Sequence, residues 1–508
     1  MEYANQLQED LMETDIVIVG AGPTGLMLAA ELRLAGVDVL LVERRPEIGG
    51  TGRAGGVQSR TLEIFDQRGL LEPLLAAGDY PSNAGHFAGI GFEADSLDNR
   101  LIGKLIPQAR IEAMLADRAV ASGARVRREN ELVALNVYSD GVSATITDGE
   151  GQYRVRARHL VAADGAHSTT RSLLGLDFPG TPATHVSTVA DVWLTDADRY
   201  RTGGVHWRWD DAGNWTMLLP FGDHFRIAFG GPGHPDNREA PIAGGEIDTA
   251  LATFDPGLGL AETRYGFRIT DTARQLLDYR HGHVFFAGDA AHVHPPFGGQ
   301  GMNLGIQDAF NLGWKLAATL RGDAGDDLLD TYNAERHPIG ARVLFNVRAQ
   351  NALMNHGAAD SQTSDLRALF TELMHLPDTR NYLAEMLSGH AVRYSMPADV
   401  DHPLLGLAAP DCPLPGAAGR LFVQMRSGRG VLIAGSDVVA AAGESWSDQV
   451  DIVRTSTPLS LLVRPDGYIC WATSSVSIEA DDVVVGLRSV LTRWFGHKQV
   501  SDAVVPVC

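Results

Sequence analysis

The chain has 508 residues, too many for one core, and 44% hydrophobic with 21% charged residues is the composition of an ordinary globular protein. With 42 basic against 63 acidic residues its net charge is −21, which argues against nucleic acid and anionic membrane as partners, and no apolar run reaches the length of a membrane span. The three cysteines, Cys412, Cys470 and Cys508, are far apart and form no CxxC, so reduced structural thiols are expected.

The first 14 residues, MEYANQLQEDLMET, lack the basic start and apolar centre of a signal peptide; a loose tail on a cytoplasmic protein is expected. From Asp15 to Arg45 runs DIVIVGAGPTGLMLAAELRLAGVDVLLVERR. Ile16–Val19 predicts a buried strand, Thr24–Ala35 a helix and Val37–Val42 a second strand. Between them Gly20, Gly22, Pro23, Thr24 and Gly25 spell GxGxxG. Gly20 permits the tight turn, Gly22 lets a pyrophosphate approach the backbone, and Gly25 lets helix and strand pack closely. The helix N-terminus then offers free N–H groups to phosphates. Glu43 ends the second strand, where a carboxylate binds a ribose diol and repels a 2′-phosphate, so the dinucleotide is FAD or NAD in preference to NADP.

HLVAADGAHSTTR, residues 159–171, predicts another strand, ending in Asp164-Gly165. From His185 to Gly231, short strands with tight turns, GGVHWRW, WTMLLPF and FRIAFGG, predict an antiparallel meander. Trp207 and Trp209 share one face of it, an aromatic wall suited to a flat polycyclic ligand; filling of the sheet interface is the plainer reading of the same residues.

Val284–Ala287 predicts a further strand, followed by GDAAHVHPPFGGQGMNLGIQDAFNLGWKL. Asp289 stands where it can bond ribityl hydroxyls. The loop Pro295–Gly301, with Phe297 in it, can wrap a flat ring with backbone atoms. A helix starting near Met302, with Ile306, Phe310, Trp314 and Ala317 inward, points its positive end at that ring. The stretch is read as a cradle for an isoalloxazine. His292 and His294 form an HxH without a third or fourth ligand nearby, so loop packing and no metal are expected. Leu328–His390 predicts linking helices. After the proline-rich HPLLGLAAPDCPLPG, the strands GVLIAG, VDIVRT and LSLLVRPDGYICWA and a helix near Val483–Phe495 predict a βαββα unit.

GAGPTG…VERR, VAADGAHSTTR and the long motif from Gly288 together resemble the single-component, FAD-dependent aromatic hydroxylases typified by 4-hydroxybenzoate hydroxylase. The likeness continues through RAGGVQSRTLEIFDQRGL, IPQARIEAML and LLDTYNAERHPIG, and is greatest to the hydroxylases of angucycline- and anthracycline-type aromatic polyketides. It implies an α/β chain: a Rossmann-like FAD-binding domain (14–180 and 270–330), an interleaved antiparallel β-sheet substrate domain (181–269, with 80–105), a helical linker (331–400) and a thioredoxin-like domain without CxxC (401–508). It implies FAD contacts at Arg44 of VERR, Arg53, Gln108, Asp289 and Pro295, the flavin edge at Gly301, Met302 and Asn303, and adenine at Leu132. It also implies non-covalent FAD, NADPH or NADH as co-substrate and O2, with a flavin C4a-hydroperoxide hydroxylating a polycyclic phenol, and it leaves room for a homodimer. No side chain is assigned as a catalytic base. Baeyer–Villiger or quinone-forming oxidation of the same substrate class stays open, as does, more distantly, a flavin-free escort protein.

Overall fold

The apolar runs that precede the glycine-rich turns come together in one parallel sheet. The computed structural model describes residues 11–48, 54–78, 85–92, 103–202, 204–235, 237–354, 361–396, 402–417, 419–474 and 480–497. Strand β1 (Leu11–Val19) lies between β2 (Val39–Glu43) and β3 (Gln152–Ala162), and β3 pairs in parallel with β4 (Val284–Phe286). Buried on both faces toward their C-terminal ends, these strands finish in apolar runs such as Ile16–Val19 and Leu160–Ala162. Chain order reverses beside β1, which makes the space beyond its C-terminal end the switch point where ligands of such sheets bind.

Helix α1 (Pro23–Leu34) joins β1 to β2, and α2 (Gly301–Leu320) packs across it. The single glycines inside α2 allow that contact. A Cβ at Gly305 would stand 2.3 Å from Thr24 Oγ1, and one at Gly313 2.7 Å from Glu31 Cβ. Helix α3 (Asp327–Met354) follows.

A five-stranded antiparallel sheet packs over Phe297 and Leu304, in the order His206–Trp209, Trp215–Phe221, His224–Gly230, Val186–Thr195, Gly259–Thr270. One face carries Leu218, Phe225, Ile227 and Phe229 against the helix Gly244–Phe254. The other carries Val189, Trp215 and Ala228 against Phe297 and Leu304. On this second face Asp191 receives Arg226 at 2.7 Å and lies 3.5 Å from His224, whose Nδ1 is 2.8 Å from Asp223. Burial pushes the Asp191 pKa up, but His224 and Arg226 outweigh it and hold the group at about 2. Burial likewise opposes the charge on His224, and the two carboxylates overcome it, so its pKa is raised.

The tail corrects the expected βαββα order. LSLLVRPDGYICWA is two strands, Ser460–Val463 and Ile469–Thr473, so the order is βαβββα. Pro465-Asp466-Gly467 breaks the apolar run: Gly467 takes φ +83°, its N–H bonds Arg464 O, and the Arg464 N–H bonds Tyr468 O. Strand order Val450–Arg454, Gly430–Ala434, Ser460–Val463, Ile469–Thr473, with the first pair parallel, is thioredoxin-like.

Buried ions join the tail to α2 and α3. Arg464 bridges Glu335 at 2.6 Å and Asp466 at 2.6 Å, and Lys315 reaches Glu335 at 2.7 Å, with all four residues buried. Burial pushes the Lys315 pKa down to about 8 against the pull of Glu335. Arg68 bridges Glu31 and donates to the carbonyls of Met425 and Pro465. Removing one partner of such a cluster strands the others: Arg464→Met is expected to cost about 3–5 kcal/mol in chemical denaturation, and adding Glu335→Leu to cost less than the sum of the two single changes. His224 gives a pH test. Its raised pKa means a contribution fully present below its unfolded value and lost as pH rises through the folded value. The fall in thermal stability between pH 6 and pH 9 should therefore be smaller in His224→Asn than in the wild type.

Candidate active site at the carboxyl edge of the parallel sheet

Register brings the three motifs together. Val19 stands opposite Ala162, and Ala162 opposite Phe286. The chain therefore leaves β1, β3 and β4 along one edge, stitched by Ala163 N–H to Val19 O (2.8 Å) and Ala287 N–H to Ala162 O (3.0 Å). Gly20 has φ +104°, and a Cβ there would stand 2.3 Å from Ala163 O; one at Gly25 would stand 2.0 Å from Gly20 O. A Cβ at Gly22 would meet nothing within 4 Å. The outer glycines serve internal packing and the middle one opens outward. Pro23 opens α1, whose first-turn N–H groups have no intrahelical acceptor. Thr24 is turned toward Gly288 and Gly305.

Glu43 is buried, and its two oxygens accept from Ala21 N (2.8 Å) and Arg45 N (2.9 Å). Each oxygen keeps acceptor capacity for a diol. Arg44 is exposed beside it. Asp164 accepts the Thr170 N–H and hydroxyl through Oδ2, both at 2.9 Å, while its buried Oδ1 has no partner. Arg171 donates to Ala166 O and Ala290 O, tying the second motif to the third.

Asp289 is exposed between the buried residues Gly288 and Ala290. Behind it lies a group that the sequence reading passed over. Asp308 on α2, fully buried, accepts from Gly288 N (3.1 Å), lies 2.7 Å from His292 Nε2 and receives Arg336 Nε at 2.7 Å. Burial pushes the Asp308 pKa up, but Arg336 and then His292 hold it below its ordinary value. Asp308 stands on the face opposite Ile306 and Phe310, the face that an amphipathic reading assigns to solvent; the helix is instead buried all round, so its acid calls for a buried cation. Arg336 of AERHPIG is that cation, and it also reaches Tyr394 Oη at 3.0 Å.

Pro295 and Phe297 are buried, and Gly298 and Gly299 take φ +77° and +62°. A Cβ at Gly299 would find nothing within 4 Å. Gly301 opens α2, and a Cβ there would stand 3.6 Å from His294 Nε2 and 3.9 Å from Asp289 Oδ1. Met302 is half-buried. The Asn303 side chain is engaged within the protein, accepting from Gln58 N and donating to Gly56 O and Gly299 O, so the backbone N–H groups of the first turn of α2 are what that end offers a ligand. The Gln108 amide is occupied by Ala54 N and Glu112. Leu132 is buried in the core, paired with Ile146; the Asn130 N–H, two residues earlier, bonds Glu43 O. Arg53 lies outside the described residues.

The antiparallel sheet turns an aromatic surface to this edge. Trp207 and Trp209 stack with centroids 5.6 Å apart, Trp215 is 5.7 Å from Trp207, and Trp215 meets Phe297 edge-on at 5.8 Å. Trp215 was not among the expected wall residues; its register opposite Trp209 places it there. The edge as a whole fits a dinucleotide carrying a flat ring: open faces at Gly22, Gly165 and Gly299, an unpartnered Asp164 oxygen and an exposed Asp289 carboxylate. Among the described residues, no group of three or more His, Cys, Asp and Glu side chains could hold a metal ion.

Comparison with known proteins gives the same account. Residues 13–347 match the family model "FAD binding domain", and residues 402–497 match "Aromatic-ring hydroxylase, C-terminal". The chain is 42% identical to the 12-dehydrotetracycline 5-monooxygenase/anhydrotetracycline 6-monooxygenase of Streptomyces rimosus over 96% of this chain and 99% of that protein. It is 41% identical to the rifampicin monooxygenase of Streptomyces venezuelae over 95% of this chain and 98% of that protein. The solved structure of OxyS anhydrotetracycline hydroxylase from Streptomyces rimosus superposes with a TM-score of 0.83 at 39% identity, covering 96% of this chain and 100% of that one. Fold, edge geometry and relatives agree, and the chain belongs to the FAD-binding aromatic-ring hydroxylases, a family of flavin-dependent monooxygenases.

Proposed function

We propose that this enzyme hydroxylates a polycyclic aromatic phenol of the aromatic polyketide type, using FAD, NAD(P)H and O2. The observation that carries this reading is the continuous aromatic cluster Trp209–Trp207–Trp215–Phe297, which runs from the antiparallel sheet into the flavin loop. Relatives named for tetracycline-type and rifampicin substrates support it. FAD reduced by NAD(P)H supplies the activation of oxygen. The protein holds, orients and shields. In this reading the α1 N-terminus and Gly22 receive the pyrophosphate, Glu43 and Arg44 the adenosine ribose side, and Asp164 and Asp289 polar groups of the FAD chain. The Pro295–Gly301 loop and the first turn of α2, through Met302 and Asn303, border the ring. Trp207, Trp209 and Phe297 border the substrate from the sheet side and keep water out. Arg53, Gln108 and the Leu132 backbone complete the nucleotide side.

No catalytic base is assigned. A phenol activates its own ortho and para positions, so positioning is the protein's main task. Work in the cytoplasm, where NAD(P)H is supplied, belongs to the same reading. The test is NAD(P)H consumption across a panel of polycyclic phenols with product structures by NMR. A new hydroxyl supports the proposal; an inserted ring oxygen would turn it to Baeyer–Villiger oxidation, and no phenol-dependent turnover would refute it.

FAD is expected to be non-covalent, released in full by acid precipitation; flavin left on the pellet would contradict this. Asp289→Ala removes a charged hydrogen bond to a sugar hydroxyl and should weaken FAD binding by about 10- to 150-fold, or roughly 1.5–3 kcal/mol, in fluorescence titration of the apoprotein. Trp207→Ala removes a stacking surface and should raise KM for the phenol by about tenfold while leaving FAD affinity unchanged.

A further inference from the structure

The short hairpin Gly85–Phe87 and Ile90–Phe92 lies against the aromatic wall. Its tip is Ala88-Gly89. A Cβ at Gly89 would stand 2.1 Å from Trp209 Cη2 and 3.0 Å from Trp207 Cδ2, so the tip lies flat on the stacked indoles. His86 is 5.1 Å from Trp207. Arg367 donates to Ala88 O and lies over the Trp209 ring at 4.1 Å. Ala88, fully buried, has φ +51°, a conformation a non-glycine residue holds only where its surroundings impose it.

From that tip a line of buried amides runs to the flavin loop. Ala88 N donates to Gln350 Oε1 (3.0 Å), Gln350 Nε2 to Asn346 Oδ1 (3.2 Å), and Asn346 Nδ2 to Gln300 Oε1 (2.6 Å). Gln300 is the N-cap of α2, and its carbonyl accepts Leu304 N. The three side-chain amides are 0%, 1% and 4% exposed. Their polarity is set from one end. Ala88 offers a backbone N–H, so Gln350 must present oxygen there, which turns its NH2 to Asn346, which turns its own NH2 to Gln300. The loop packs on the same line: a Cβ at Gly298 would stand 3.1 Å from Gln350 Nε2. Moving either end alone would strand a buried amide without a partner, so hairpin and loop are held in one register.

We propose that Gln350, with Asn346, is a positioning residue that ties the flavin loop 297–300 to the hairpin on the substrate wall, so that occupancy of the wall sets the loop for productive oxygen transfer. This rests on reading the Trp207/Trp209 face as the substrate wall. Neither amide touches substrate or FAD in this assignment; the effect passes through Ala88 and Gln300.

The test uses holoenzymes of the wild type, Gln350→Leu, Gln350→Glu, Asn346→Asp and Trp207→Ala, with anhydrotetracycline as the probe phenol. NADPH oxidation is measured with and without probe and divided between hydroxylated product and hydrogen peroxide; FAD affinity and melting temperature report structure. Gln350→Leu should keep FAD affinity within about twofold and lose about 5- to 10-fold in product formed per NADPH, the missing equivalents appearing as peroxide. Gln350→Glu keeps the acceptor for Ala88 and should recover part of the coupling. Asn346→Asp is isosteric, turns a second acceptor on Gln300 and should uncouple as Gln350→Leu does; it decides the matter if Gln350→Leu fails to fold. Full coupling in Asn346→Asp, or in a folded Gln350→Leu, alongside an altered probe response in Trp207→Ala, overturns the proposal and leaves the wall intact. A wild type indifferent to the probe, or a Trp207→Ala variant with an unchanged response to it, refutes the wall reading and takes this proposal with it.

Discussion

At the centre of the molecule lies one carboxylate, Asp308, with no exposure to water. It takes the N–H of Gly288 at the end of β4, the imidazole of His292 in the following turn and the guanidinium of Arg336 on α3. A buried charge is tolerated only when surrounded by donors, and these three come from three parts of the chain. Remove the carboxylate and the strand end, the loop and the two long helices lose their common anchor. Asp289 follows Gly288 directly, so the exposed carboxylate at the sheet edge is fixed by a residue buried behind it. Arg336 also donates to Leu304 O, so the same anchor holds the first turn of α2.

Arg336 carries the linkage on to Tyr394, and one turn further along α2 a parallel cluster of Asn311, Lys315, Glu335, Arg464 and Asp466 carries it into the tail. Ions thus join the layers alongside apolar packing, which links Trp314, Ala318 and Leu328 to the tail. Ion clusters of this kind add little net stability but tolerate only one arrangement. That suits an enzyme whose reaction depends on where a flat ring lies relative to another flat ring, since a small slip of one layer would leave charges unpaired.

The edge geometry was legible in the sequence because backbone demands write themselves as glycine and proline. Gly20 and Gly25 cannot carry a Cβ, Gly22 faces open space, and Glu43 sits at the end of its strand for reasons of spacing alone. The meander was legible from its period of two, and the stacked pair Trp207–Trp209 from the same rule. Long-range polar partners were not legible. Nothing local to Asp308 names Arg336, 28 residues on, and nothing local to Gln350 names Ala88, 262 residues earlier. A glutamine or asparagine on a helix reads as a solvated face, and only the fold turns Asn346 and Gln350 inward. The hairpin inside LSLLVRPDGYICWA was hidden for a related reason: its strands are buried on both faces, so the apolar run is broken only by the turn itself.

The tail takes its meaning from that same turn. Its sheet is thioredoxin-like in order, yet the turn that ends Ser460–Val463 is a docking device. Asp466 pairs with Arg464 and Asn311, the carbonyls of Pro465 and Asp466 accept from Arg68 and Arg60, and Arg464 also lies 4.4 Å from the Trp494 ring. Arg60 and Arg68 come from RAGGVQSRTLEIFDQRGL, the stretch that also carries Gln58, whose N–H is held by Asn303. The segment Gln58–Arg68, a short helix (Ser59–Asp66) and its flanks, therefore contacts the 297–300 loop through Gln58, which donates to Gly298 O, and the tail through its arginines. A mobile appendage would expose its attachment residues to water; here Arg60, Arg68, Arg464 and Asp466 are all buried. The tail is best understood as the back wall of the cofactor domain, completing the burial that Arg60, Arg68 and Glu335 require.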